Sequence, residues 1–103
     1  MDTILTLEEY SERTEIPLPE LTGKSRKQAL AIARFIYWFY LNKSDPVRWS
    51  SVKIAEIFGR EHPAILHGIK QVRNFIDTND SIIKPYRKDF IDPFLHREQP
   101  VRG

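Results

Sequence analysis

The chain has 103 residues, 41% of them apolar, which suffices for a single domain, 1–103, with a core of its own and excludes a multi-domain enzyme. It holds no cysteine, which excludes disulfides, iron–sulfur clusters and thiolate zinc sites. The net charge of +2 hides a division: residues 1–20 carry six acids against Arg13 alone, whereas residues 24–73 carry ten bases against Asp45, Glu56 and Glu61, so the body is expected to meet something anionic.

The hydrophobic periodicity is helical throughout, with no strand-like alternation, and predicts an all-α fold. Thr6-Leu7-Glu8-Glu9 is a capping-box pattern and opens a short helix to about Arg13. Pro17 and Pro19 predict an extended link. Ser25 is the expected cap of a long helix to about Asn42, whose second half, Phe35 to Leu41, is apolar around the whole cylinder. A helix of that kind is surrounded, so it is expected to be the hub of the fold. Ser44-Asp45-Pro46 breaks the chain. Ser50 or Ser51 then caps a short helix, Val52 to Phe58, with Ile54, Ile57 and Phe58 pointing one way, and Gly59 ends it.

After the turn Gly59-Arg60-Glu61-His62, Pro63 suits a first helical position, where a missing N–H costs nothing. The helix it opens runs to about Asp77 and is expected to bury Ile65, Leu66, Ile69, Val72 and Ile76. Two helices joined by a tight glycine turn read as a helix-turn-helix. A last helical segment follows Asn79-Asp80-Ser81, interrupted by Pro85 and Pro93, and Gln99–Gly103 is expected to fray. Nothing at the N-terminus resembles a signal peptide, and the stretch Ala29–Leu41, interrupted by Arg34, is too short to span a bilayer. A soluble, cytoplasmic protein without a membrane partner is expected.

Two motifs carry a family resemblance. Gly59-Arg60-Glu61-His62-Pro63-Ala64-Ile65-Leu66-His67-Gly68 resembles the G-R-D-H-[ST]-T-V-x-H-A pattern of the C-terminal DNA-binding domain of DnaA, the bacterial replication initiator. Upstream, Gly23-Lys24-Ser25-Arg26-Lys27 followed by Ala33-Arg34 resembles that domain's S-K-S-R-K basic loop and the helix after it. The resemblance covers about residues 4–77 and leaves 78–103 as a C-terminal helical extension and tail. No Walker loop is present, so a homologue without the initiator's ATPase is expected, of bacterial, phage or mobile-element origin.

The resemblance implies a Trp-repressor-like helical fold that places Pro63–Asn74 as the recognition helix on double-stranded DNA. It implies that Lys24, Ser25, Arg26 and Lys27 form the basic loop, with Arg26 in the minor groove, and that Lys24, Arg34, Lys53 and Lys70 lie at or near the DNA backbone. It implies further that Arg60, Glu61, His62, Pro63, Ala64 and His67 form the head of the helix in the major groove. A helix N-terminus welcomes phosphate, and first turns of recognition helices reach base edges, which agrees with that placement. The departures lie at the same head. Pro63-Ala64 replaces Thr-Thr and removes two hydroxyls and one backbone N–H, Glu61 replaces Asp, and one glycine of the usual pair is absent.

Other readings of these residues are narrower. His62 and His67, five apart on a helix, diverge by roughly 140° and make a poor metal pair, so no metal, cofactor or small-molecule substrate is expected. For His67 the second reading is a helix-packing histidine that hydrogen-bonds within the turn. No paired-carboxylate cleft or Ser/His/Asp arrangement is present, and enzyme is the weakest class. The leading expectation is a DNA-binding helix-turn-helix protein acting as an accessory replication or transcription regulator. The alternative is an interaction module on the same fold that binds another protein through the aromatic segment 82–95.

Overall fold

The first helix, α1 (Leu7–Thr14), starts as its sequence prescribes in a computed structural model that describes residues 4–25 and 27–98. The expectations for Met1–Thr3, for Arg26 and for the tail 99–103 lie outside the described residues. At the head of α1 the Thr6 hydroxyl accepts the Glu9 N–H at 3.2 Å, and the Glu9 carboxylate accepts the Thr6 N–H at 2.8 Å. Two orphan donors are thereby satisfied reciprocally.

The expected extended link is instead a short helix, α2 (Leu18–Thr22). Pro19 sits in its first turn, where no intrahelical N–H is needed, so the two prolines start a helix here instead of preventing one. The hub, α3, spans Gln28–Ser44 and starts later than its expected cap. The Ser25 hydroxyl accepts the Lys27 N–H at 3.2 Å inside the preceding loop, a local bond that competes with capping. Lys27 stands at the N-cap without any side-chain cap bond.

As the apolar run predicts, Ile36 through Leu41 of α3 are all buried, and Phe35 is half-buried. The tyrosines among them do more than fill space. The Tyr10 hydroxyl, wholly buried, donates to the Ala33 carbonyl at 2.7 Å, and its ring lies 4.7 Å from that of Tyr37. Tyr37 donates to the Leu5 carbonyl at 2.8 Å, while Tyr40 accepts the Leu5 N–H at 2.9 Å, so the hub pins the N-terminal segment by both polar groups of one residue. Burial pushes the Tyr10 and Tyr37 phenols up from their ordinary range, which keeps them neutral donors.

The helix-turn-helix follows. Ser50 caps α4 (Ser51–Phe58) by accepting the Lys53 N–H, and Gly59 closes it in the left-handed conformation at φ 63°. The Arg60 N–H reaches back to the Ala55 carbonyl at 2.9 Å, completing the C-terminal cap. The next helix, α5, spans His62–Asp77 and buries Ile65, Gly68, Ile69 and Val72, a stripe at the spacing of one helix face. Two expectations are therefore corrected, that Leu66 is buried and that Ile57 points the same way as Ile54. Leu66 lies about 100° from Ile65 and is 47% exposed, and Ile57 lines a surface groove and is 56% exposed.

Gly68 decides how closely α5 approaches the hub. A Cβ there would lie 2.7 Å from atoms of both Phe35 and Trp38, so only glycine admits the two aromatic rings at this distance. The C-terminal segment then runs as a 3₁₀ turn (Ser81–Ile83), a short α6 (Lys84–Tyr86), a π turn (Arg87–Ile91) and α7 (Asp92–Glu98). Its Ile83, Phe90, Ile91 and Phe94 are buried. Phe90 meets Tyr10 and Tyr40 edge-on at 5.0 and 5.4 Å, and Phe94 meets Phe39 at 6.3 Å. The apolar side chains that suggested a protein-binding segment at 82–95 thus largely complete the core. Among the described residues all regular structure is helical, and no helix is long and apolar enough to cross a membrane.

Candidate nucleic-acid interface

Gly23 in the loop before α3, the start of α4 and the turn into α5 meet around Arg60–His62. Arg60 donates through Nη2 to the Gly23 carbonyl, across 37 positions of sequence. Arg34, on the hub, donates through Nη2 to the Ser25 carbonyl at 2.8 Å. Two residues after Arg60, His62 Nε2 shares a 2.7 Å hydrogen bond with the Ser51 hydroxyl, which ties the first turn of α5 to the first turn of α4.

The expected site residues divide by exposure. Lys24, Lys27, Lys53 and Lys70 are exposed, as are Glu61, His62, Pro63, Ala64 and His67. Ser25 and Arg60 are half-buried, and Arg34 is only 6% exposed. Burial, and then the charge of Arg60, hold the Arg34 guanidinium below its ordinary pKa. The two cations therefore stand close enough to oppose one another, beneath a loop whose described lysines add more positive charge.

At the head of α5, Glu61 occupies the N-cap without making a side-chain cap bond, and Pro63 follows in the first turn. His67 stands one turn on, its ring edge-on to Phe35 at 6.0 Å, while remaining exposed. Neither α3 nor α5 carries an acid in its first turn. The described residues here expose Lys24, Lys27, Lys53 and Lys70 alongside Glu61. The described residues hold no cluster of metal-ligating side chains. A groove of about 950 Å³, lined by Tyr37, Trp49, Ile57 and Phe94 among others, shares no residue with the loop or with α5.

Sequence reasoning missed three participants. The Gly23 carbonyl and the Ser51 hydroxyl act as partners of Arg60 and His62, and no local pattern announces such long-range pairs. Gly68 had a signal: a glycine in the buried stripe of α5 opposite a run of aromatic residues marks a close helix–helix approach.

The family model described as the bacterial DnaA protein helix-turn-helix matches residues 6–72. The chromosomal replication initiator protein DnaA of Pseudothermotoga lettingae is 31% identical over 65 residues, which is 63% of this chain and 14% of that one. The chain thus spans a small part of the length of that relative. No solved structure matches it.

Proposed function

This chain belongs to the bacterial DnaA protein helix-turn-helix family, and from that premise we propose that it binds double-stranded DNA as an accessory replication or transcription regulator. The head of α5 enters the major groove with Glu61, His62, Pro63, Ala64 and His67. The basic loop, with Lys24, Ser25, Arg26 and Lys27, meets the adjacent minor groove, and Lys53 and Lys70 lie at phosphates. Its place of action is the cytoplasm, and it acts by binding alone.

The observation that carries this reading is the convergence of loop and turn at Arg60, which brings both family motifs onto one cationic surface. Phosphate contacts would supply most of the affinity, and the altered head at Pro63-Ala64 sets base preference by shape and apolar contact instead of by hydroxyl groups. The relative's name, a chromosomal replication initiator, favours a replication setting over a purely transcriptional one.

Fluorescence anisotropy on a mixed-sequence duplex at a series of salt concentrations tests the proposal. Lys53 and Lys70 at phosphates, with Lys24 and Lys27 neutralising the phosphates that flank the minor groove, give a log–log salt slope of about −3 to −4. Absent binding, or an affinity indifferent to salt, overturns it.

A further inference from the structure

We propose that Arg34 and Arg60 are positioning residues, two guanidiniums that brace the loop Gly23–Lys27 by its own carbonyls so that loop and helix-turn-helix engage a duplex as one unit. The proposal rests on the duplex-binding reading above and gives these two residues a role different from direct contact. Arg34 is 6% exposed, and its Nη2 is committed to the Ser25 carbonyl at 2.8 Å. Arg60 is half-buried and committed to the Gly23 carbonyl. The Nε atoms of both are buried and have no hydrogen-bond partner, so each guanidinium has one edge turned into the protein.

The bracing is two-sided. A Cβ at Gly23 would lie 2.9 Å from the Pro19 carbonyl, so α2 closes on Gly23 from one side while Arg60 holds its carbonyl from another. Without Arg60, the described loop keeps only the short Ser25–Lys27 bond and the hold of Arg34. Holding two guanidiniums side by side opposes their like charges, and guanidinium–carbonyl bonds are the charge-assisted kind that can offset this. Because the brace runs from the turn that starts α5 to the loop that precedes α3, it sets the spacing between the two parts that would lie in neighbouring grooves. Contact precision of this kind is lost when the supporting bonds are lost, even if every contacting side chain remains.

The test uses the full chain, first without DNA. Trypsin cleavage after Lys24 is compared in parent and Arg60→Ala, with cleavage after Lys53 as the control for general unfolding. The brace predicts loop cleavage faster by about 10-fold with the control site unchanged, since cleavage tracks local opening. Unchanged loop cleavage overturns the proposal, whether or not the protein binds DNA. The second arm is a double-mutant cycle on a duplex: Lys24→Ala weakens the parent by about 3-fold but the Arg60→Ala variant by less than about 1.5-fold, because the loop is already displaced. Additive losses, with the salt slope shallower by about one unit for Arg60→Ala, mark Arg60 as a direct phosphate contact and overturn it. If Arg60→Ala loses its helicity, Arg60→Gln, which keeps a neutral donor on a shorter stem, is read against the same outcomes.

Discussion

The starts of α1 and α3 are built on opposite principles. At α1, Thr6 and Glu9 form a reciprocal cap, and Glu8 and Glu9 place negative charge in the first turn. At α3, Lys27 holds the N-cap with no side-chain bond, the first turn has no acid, and Lys24 stands exposed in the loop before it. The first arrangement satisfies a helix end within the protein. The second leaves donors and positive charge to be satisfied from outside, a condition that phosphate oxygens meet. The contrast extends to the molecule: one side is saturated by tyrosine hydroxyls and aromatic edges, and on the other the buried Arg34 and the half-buried Arg60 hold loop carbonyls.

The largest expected effect comes from breaking the saturated side. Phe39 is 1% exposed and contacts Phe94 of the C-terminal run. Phe39→Ala should cost roughly 3–5 kcal/mol by denaturant unfolding, because a large ring is removed from a core that closes only partly around the gap. A loss under about 1 kcal/mol would mean that the C-terminal run is not packed as described and that the domain ends near the limit of the family match.

Gly68 links the two sides, because it sets the distance between the hub and the helix proposed to read DNA. Alanine is the better helix former by about 1 kcal/mol, so at an unconstrained position Gly68→Ala would stabilise. Here the new Cβ meets Phe35 and Trp38 at 2.7 Å, and both are ring atoms of a packed pair. Overpacking costs typically about 1–3 kcal/mol, which outweighs the propensity gain. A thermal melt decides the sign, and a rise in midpoint would show that the rings yield freely.

These cases also show which parts of the molecule were legible in the sequence. The cap at Thr6, the stop at Gly59 and the hub itself depend on neighbours within a few positions or on an apolar run, and each was readable. The prolines at 17 and 19 misled because the same residue that forbids a helix interior suits a first turn. Ser25 misled because its hydroxyl has a second local use, bonding the N–H two residues on. On α5, the hydrophobic stripe was recognised but widened by one residue to include Leu66, since periodicity alone does not say where the stripe's edge falls. The brace from Arg60 to Gly23 spans 37 positions and leaves no local trace. The family resemblance located the candidate surface, while the difference between exposed Lys24 and buried Arg34 needed the packing of α3.

Removing the α1 cap sharpens the comparison at smaller scale. Thr6→Ala leaves the Glu9 N–H without its acceptor and should cost about 1 kcal/mol. Duplex affinity should be unchanged, since the bonds of the Thr6 cap are made to Glu9 within α1. An affinity loss alongside the expected drop in stability would show that the two sides are coupled.

The smallest expected effect has the opposite sign. Lys27 adopts φ −57° and ψ 131°, extended backbone of the kind an N-cap residue needs, so Lys27→Asp installs at α3 the type of cap that α1 already has. Its carboxylate can accept a first-turn N–H, and its charge complements the helix dipole, for a gain of about 0.5–1 kcal/mol. The same substitution removes one cation from the proposed phosphate-facing surface and occupies the donors that surface offers. The salt slope on a mixed duplex should become shallower by about one unit, with weaker binding at every salt concentration. A variant that gains stability and loses affinity would show that the open start of α3 is maintained for its ligand at the expense of the fold. A gain in stability with affinity intact would instead place the duplex away from α3 and leave the turn at α5 as the surface to be mapped.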